Sequence, residues 1–245
     1  MNYQVRKALQ SRKALKVISG LNNFDSQRVA LIVQSAQAGG ADYVDIAAHD
    51  DLVRYVRTLT TLPICVSAVE AQQLFQAVKA GADLIEIGNF DCFYEQGRIF
   101  SSDEILELTR ETRSLLPETT LSVTVPHILP LDEQVELAQS LVLNGADIIQ
   151  TEGGTSSQPT HAGILGLIEK AAPTLAAAYA ISKAVTVPVL CASGLSEVTV
   201  PLAIASGASG VGVGSAINRL NDPIAMVAAV RGLVEALGQA KIARV

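Results

Sequence analysis

Gly81-Ala82-Asp83-Leu84-Ile85-Glu86-Ile87 decides the fold. Its glycine closes a helix-period segment in a left-handed cap, and the apolar run that follows has the make-up of a buried strand. The same Gly-Ala-Asp recurs at 40–42 before Tyr43-Val44-Asp45-Ile46 and at 145–147 before Ile148-Ile149-Gln150-Thr151. Gly-Ala-Ser at 207–209 precedes Gly210-Val211-Gly212-Val213. Between these units lie two near-copies, Leu62-Pro63-Ile64-Cys65-Val66-Ser67-Ala68 and Val187-Pro188-Val189-Leu190-Cys191-Ala192-Ser193. Proline suits the first residue of a strand, where its missing N–H breaks no ladder bond. Ala14–Ser19 and Thr120–Val125 complete a set of eight strands alternating with helical segments.

One βα unit per ~30 residues is the pattern of an α/β chain closed into a single (β/α)8 TIM barrel. The domain is expected to span 1–245, with the repeat after half the chain marking two related half-barrels. The competing layout is an open doubly wound sheet, but no early G-x-G-x-x-G follows the first strand. The opening Gln4–Arg12 segment reads as a short amphipathic helix plugging the barrel bottom, with Val5, Ala8 and Leu9 inward.

Composition narrows the function classes. The chain has 245 residues, 49% hydrophobic and 17% charged, enough apolar surface for a large core. Net charge is −6 and aromatics are 4% with no Trp, which argues against nucleic acid, since phosphate backbones need a basic face and single strands need stacking platforms. No run of ~18 consecutive apolar residues is present, so no membrane span is expected. Met1-Asn2-Tyr3-Gln4-Val5-Arg6-Lys7 opens no apolar signal core, as in a mature soluble protein. Cys65, Cys92 and Cys191 have neither metal-ligand nor disulfide spacing, which suits a reducing compartment.

In a barrel strand, side chains alternate between lumen and helical coat. Lys16, Asp45, Glu86, Thr124 and Gln150 each lie between apolar neighbours, so the polar member faces the lumen. A charge there must be paired. Lys16 facing Asp45, Glu86 and Glu152 would satisfy this and would set a lysine among acids near the mouth, where barrel enzymes keep their chemistry. Lys16, Asp45, Glu86 and Glu152 are therefore the catalytic candidates, against the alternative of a salt-bridge cluster that only fills the barrel.

The last quarter carries a phosphate signal. Ser193 and Gly194 follow strand 7, and Gly212, Gly214 and Ser215 end strand 8. Glycines let main-chain N–H groups approach an anion, and Ser215-Ala216-Ile217 can open a short helix aimed at it. A sugar phosphate, a thiazole or indole phosphate, or flavin mononucleotide would fit. Asp222-Pro223 starts the final helix, with Asp as N-cap.

Other candidates divide. The polar stretch Thr151–Gly163 is long enough for a lid, and Gly153-Gly154-Thr155-Ser156 could form a second anion nest. His161 reads equally as a general acid or a solvated loop residue. Asp50 or Asp51 reads as a helix N-cap. His127 has no partner histidine at metal spacing, and no metal or cofactor is expected. Asn89–Tyr94 carries three aromatics that could cover the mouth or make an interface, with Cys92 exposed.

Val189–Pro223 resembles the phosphate-binding end of the ribulose-phosphate-binding barrel superfamily, which includes thiazole synthase and indole-3-glycerol-phosphate synthase. The whole chain resembles the cyanobacterial and plastid family called hypothetical chloroplast open reading frame twenty-three. Lys16-Val17-Ile18-Ser19-Gly20, Val66-Ser67-Ala68-Val69-Glu70 and above all Gln150-Thr151-Glu152-Gly153-Gly154-Thr155-Ser156 carry the likeness. It implies a cyanobacterial cytoplasm or plastid stroma, and no activity. The thiazole synthase lysine is absent, since Leu84–Asn89 holds none; of the lysines used by indole-glycerol-phosphate synthase, only Lys16 can be matched.

The expectation is an enzyme of lyase, synthase or isomerase type acting on a small phosphorylated carbonyl compound, possible as a homo-oligomer. Lys16 would serve as Schiff-base nucleophile or electrostatic clamp, and the acids as general base. Nearby carboxylates favour the charged lysine and so oppose the Schiff-base role. The alternatives are a non-catalytic metabolite sensor, docking through exposed Phe90, Phe93 and Tyr94, and a flavin-mononucleotide protein.

Overall fold

The computed structural model describes residues 1–94, 96–154 and 157–240. In chain order the elements are α1 (Tyr3–Gln10), β1 (Ala14–Ile18), α2 (Ser26–Gly39), β2 (Tyr43–Ala47), α3 (Asp50–Arg57), β3 (Ile64–Ala68), α4 (Ala71–Ala80), β4 (Leu84–Ile87), α5 (Asp91–Tyr94) and α6 (Ser102–Leu115). There follow β5 (Thr120–Thr124), α7 (Leu131–Leu143), β6 (Ile148–Gln150), α8 (Gly163–Ala184), β7 (Val189–Ala192), α9 (Val200–Ala205), β8 (Gly210–Val213), α10 (Ser215–Asn218) and α11 (Pro223–Gln239). All eight strands are parallel and close into a barrel in sequence order, β8 pairing with β1 through Lys16 opposite Gly212. The expected (β/α)8 barrel is the observed fold.

The Gly-Ala-Asp repeat has a physical cause that reaches beyond the helix cap. Gly40, Gly81, Gly145 and Gly207 all take positive φ, releasing the chain from the helix. The following Asp then fastens two strands together. Asp42 Oδ2 accepts the Leu15 N–H at 2.8 Å, Asp83 Oδ2 that of Ile64 at 2.8 Å, and Asp147 Oδ2 that of Leu121 at 2.9 Å. The backbone N–H of each Asp donates back to the same residue's carbonyl, at 3.0, 2.8 and 2.8 Å. In the fourth copy Ser209 keeps only the backbone half, donating to Val189 at 2.8 Å. The barrel is thus pinned at its bottom as four strand pairs. Arginines tie down the same turns: Arg57 pairs with Asp83, Arg113 with Asp147 at 2.8 Å, and Arg12 donates to the carbonyls of Ala208 and Ile204.

Alternation along the strands separates two cores. Leu15, Val17, Val44, Ile46, Val66, Ile85, Ile87, Leu121, Val123 and Ile149 face outward into the packing with the helices. Inside, Ala14, Tyr43, Cys65, Leu84, Ile148 and Leu190 form an apolar floor, and Val5, Ala8 and Leu9 of α1 pack beneath it as the expected plug. Cys65 and Cys191 are both buried, and burial pushes the Cys191 thiol up to about 11. Asp222 caps α11 as expected, accepting from Ala225 N at 2.8 Å. Asp50 and Asp51 do not cap α3: His49 holds the cap position, and the two acids lie inside the first turn, where they meet the positive end of the helix dipole.

One helix among the described residues, α8, is long and apolar enough to cross a membrane by length and composition. Here it is a barrel helix. Its Ala171, Ala177, Ala178 and Ile181 are buried, and Thr174 Oγ1 donates to the Ala192 carbonyl at 2.6 Å.

Candidate active site

Above the apolar floor the lumen turns polar, as the alternation requires. Lys16 Nζ donates to Glu86 Oε2 at 2.6 Å and lies 3.6 Å from Asp45 Oδ2. Ser67 donates to Asp45 Oδ1 at 2.7 Å, and Gln150 Nε2 donates to Glu86 Oε1 at 2.6 Å and to Thr124 at 3.1 Å. Burial acts to lower the Lys16 pKa, but Glu86 and Asp45 beside it outweigh that and hold it well above the ordinary lysine value. Burial, opposed by Lys16 and reinforced by Glu86, raises Asp45 to about 6. The network is closed in: Lys16 is 1% exposed.

At the C-terminal end of the strands lies a cavity of about 330 Å3. Ile18, Gly20 and Leu21 form one wall, and Ala192, Ser193, Gly194, Gly214, Ser215, Asn218 and Arg219 a second. Asn89, Asp91, Cys92, Thr151 and Glu152 form the third. Lys16, Asp45 and Glu86 are not among the lining residues. They sit one layer below, linked to the cavity through Asn89, whose Nδ2 donates to Glu86 Oε1 at 3.2 Å and to Ser67 at 3.4 Å. The expectation of a lysine at the mouth is thereby corrected: the acids that pair it draw it down into the lumen.

The five expected phosphate residues fall together at this cavity. Ser193, Gly194, Gly214 and Ser215 line it, and Gly212 lies just beneath, where a Cβ would come within 3.0 Å of Ala192 Cβ and of Ile18 Cδ1. Gly194 has φ +72°, and a Cβ there would sit 2.7 Å from Gly154 Cα and 3.0 Å from the Lys170 carbonyl, so only glycine fits this turn. Among the described residues, no acceptor takes the amides of Gly194, Ser215 or Ala216. The Arg219 side chain, exposed at the rim, has no acidic partner there among them.

Glu152 does not meet Lys16, as the lumen pattern had suggested. Two residues past the end of β6, it turns the other way and gathers donors from the neighbouring strand ends. Tyr94 Oη donates to Glu152 Oε1 at 2.6 Å, and the His127 backbone N–H donates to the same oxygen at 3.2 Å. His127 Nδ1 lies 3.3 Å from Glu152 Oε1 and 3.3 Å from Asp91 Oδ1. The Asp91 amide donates to Glu152 Oε2 at 3.2 Å, and Ser193 Oγ donates to Asp91 Oδ2 at 3.1 Å. Burial raises the Glu152 pKa, with the His127 hydrogen bond opposing. Burial acts to lower His127, but the Glu152 hydrogen bond and the Asp91 charge outweigh it and the net direction is up.

The Asp91–His127 half of this cluster was missed in the sequence. Spacing between histidines could not reveal it, because the partners are carboxylates. The available signal was positional: Asp91, His127 and Glu152 each stand within four residues of the end of three consecutive strands, β4, β5 and β6, which the barrel sets side by side.

Several other expectations need correction. Phe90 is fully buried, stacked on Phe100 with ring centroids 4.7 Å apart. Phe93 and Tyr94 are only partly exposed and pack on the core, so this segment offers no aromatic docking face. Cys92 is half-buried, its Sγ donates to the Asn89 carbonyl at 3.0 Å, and burial raises its pKa to about 11. His161 lies away from the cavity, paired with Glu169 at 2.6 Å on the exposed edge of α8, and that bond lowers Glu169 to about 2. Of the second anion nest, Thr155 and Ser156 lie outside the described residues.

These features define a class: a closed (β/α)8 barrel with a mouth cavity that sets unbonded main-chain amides against an imidazole–carboxylate cluster. The family model described as "Protein of unknown function (DUF561)" matches residues 1–243, and the chain belongs to that family. Uncharacterized protein ycf23 of Pyropia yezoensis is 46% identical over 216 residues, covering 88% of this chain and 79% of that one. The ycf23 protein of Cyanophora paradoxa is 45% identical over 228 residues and covers 93% of each. The resemblance drawn from Gln150–Ser156 and its companions is therefore borne out. Among solved structures, 3-hexulose-6-phosphate synthase from Salmonella typhimurium aligns with a TM-score of 0.66 at 17% identity over 93% of this chain and 100% of its own. Thiamine phosphate pyrophosphorylase from Pyrococcus furiosus aligns at 0.62 and 18% over 95% and 98%. At such identities the likeness is one of fold.

Proposed function

We propose that the protein is an enzyme, of lyase, synthase or isomerase type, acting on a small phosphorylated carbonyl compound. The observation that carries this reading is the mixed lining of one cavity: the amides of Gly194 and Ser215, unbonded among the described residues, and the Arg219 side chain share it with the carboxylates of Asp91 and Glu152. A phosphate dianion takes N–H donors and a guanidinium well. Ser193, Gly194, Gly214 and Ser215 would hold it, with Gly212 giving clearance beneath. Its position beyond strands 7 and 8 is where barrels of this kind commonly bind phosphate. The names of the fold neighbours, synthases and a pyrophosphorylase of phosphorylated compounds, agree with the reading.

In the same cavity, Glu152 would accept a proton from carbon next to the substrate carbonyl, with His127 and Tyr94 holding the carboxylate in place. Lys16, Asp45 and Glu86 are the charged support beneath: Lys16 fixes Glu86, which orients Asn89 at the cavity wall. A Schiff base on Lys16 is disfavoured by its closed position and its raised pKa. The ycf23 relatives support a plastid stroma or cyanobacterial cytoplasm as the setting.

Two measurements test the reading. Inorganic phosphate and a panel of carbonyl phosphates are titrated by calorimetry against the protein and its Ser215→Asp variant, which places a negative charge at the amide cradle. Binding lost in the variant is expected; equal binding by both overturns the phosphate site. In D2O, the panel is followed by proton NMR for exchange at carbon, which Glu152→Gln should abolish. Exchange that persists in Glu152→Gln removes Glu152 from the proposed role.

A further inference from the structure

We infer that Asp91, His127 and Glu152 form a divalent-cation site at the inner end of the mouth cavity, which deepens the reading above and rests on it for the ligand the metal would meet. The three residues offer one ligand atom each, all within 4.8 Å of one another. His127 Nδ1 stands 3.3 Å from Asp91 Oδ1 and 3.3 Å from Glu152 Oε1. Ligands ~2.0–2.2 Å from a metal in tetrahedral or octahedral arrangement are themselves separated by about 3.0–3.4 Å, the spacing the imidazole already keeps from each carboxylate.

Both carboxylates are already held by hydrogen bonds, as metal sites orient their ligands. Ser193 Oγ donates to Asp91 Oδ2 at 3.1 Å and turns Oδ1 toward the imidazole. The Asp91 amide donates to Glu152 Oε2 at 3.2 Å, and Tyr94 Oη donates to Oε1 at 2.6 Å. Bonding through Oε1 would leave Oε2, which accepts the Asp91 amide, with a second lone pair for proton transfer.

The ligands come from the ends of β4, β5 and β6, so they cover one side of the ion. Asp91 and Glu152 both line the cavity, and the open side therefore faces the space in which a ligand sits. An ion held by three protein groups with an open position is the arrangement of a catalytic rather than a structural metal. One imidazole and two carboxylates suit a transition-metal dication such as Zn2+, Mn2+ or Fe2+ better than Mg2+, which favours all-oxygen surroundings. The bound ion would take the carbonyl oxygen of the substrate, whose phosphate the cradle would hold.

The test uses the whole protein, stripped with a chelator. Mn2+ alone is titrated and its free aqua-ion signal followed by electron paramagnetic resonance; Zn2+ alone is titrated by calorimetry. One ion per chain is expected, with electron spin-echo modulation from a single directly bound imidazole nitrogen on Mn2+. His127→Asn and Asp91→Asn should each weaken binding at least tenfold with the circular-dichroism spectrum unchanged. No stoichiometric uptake of either ion at millimolar concentration, or no nitrogen modulation in the unaltered protein, overturns the inference without any variant having to fold. Phosphate binding by the stripped protein in the absence of metal uptake would sink the metal site alone. Metal uptake without phosphate binding would sink the substrate reading alone.

Discussion

Replacing Lys16 by Met is expected to unfold the barrel more readily, by an amount the lumen geometry sets. The methylene stem is kept in volume, so the change removes the charge rather than the packing. Glu86 and Asp45 would then face each other in a space where both are buried and no other cation stands within reach among the described residues. Breaking a buried pair by deleting one partner costs about 3–5 kcal/mol, because the surviving charge is stranded. For a chain of this size that corresponds to a fall in Tm of roughly 6–20 °C. Arg54→Ala supplies the contrast within the same protein: its pair with Asp51 spans 3.9 Å with side chains 59% and 87% exposed, and its loss should cost about 0–1 kcal/mol. Calorimetry at pH 7 reads both. Adding Glu86→Gln to Lys16→Met removes one of the two stranded carboxylates and their mutual repulsion, and should recover part of the loss, even where the single variant fails to fold. A Lys16→Met variant within ~1 kcal/mol of the parent, or no recovery in the double variant, would refute the account of the lumen as a charge-balanced network.

Other outcomes follow from the same structure. Asp45 is raised to about 6, above the ordinary value for Asp, so folding favours its protonated form; that contribution is fully present below about pH 4 and is lost as pH rises through 6. Asp45→Asn should accordingly gain stability relative to the parent on going from pH 4 to pH 8, measured by urea titration, and a constant difference would contradict it. Asp147→Ala deprives the Leu121 amide of its side-chain acceptor and Arg113 of its carboxylate, for a cost of about 1–3 kcal/mol by the same titration. Ser209→Ala, where the repeat makes no side-chain tie to β7 among the described residues, should cost less than that. Leu9→Ala, hollowing the plug at a position 2% exposed, should cost about 2–5 kcal/mol in thermal unfolding.

The barrel was legible because its signals are local and repeated. A glycine that must take positive φ, an apolar run after it and a proline at a strand start each announce themselves within a few residues, and the closed ring follows from counting them. The inward direction of Lys16, Asp45 and Glu86 was legible for the same reason, since strand alternation is a period of two. What they touch was not. Whether Glu152 turned toward Lys16 or toward His127 depends on where the chain leaves β6, and two residues of loop were enough to reverse it. Phe90 was misread as surface because a loop position alone does not tell which way a side chain points, and Phe100, which buries it, arrives only ten residues later. The function of the Asp in the repeat was also hidden: its partner lies on the preceding strand, a distance in sequence that differs from copy to copy.

The seating of α1 beneath the apolar floor dictates an order of assembly. Val5, Ala8 and Leu9 are synthesised well before Leu190, part of the surface they cover, which follows about 180 positions later. At ~5–20 residues per second the helix waits roughly 10–35 s with its apolar stripe unclaimed. Helix α1 therefore cannot complete its seat until β7 has been made, and the newborn polypeptide must keep that stripe from other partners until then.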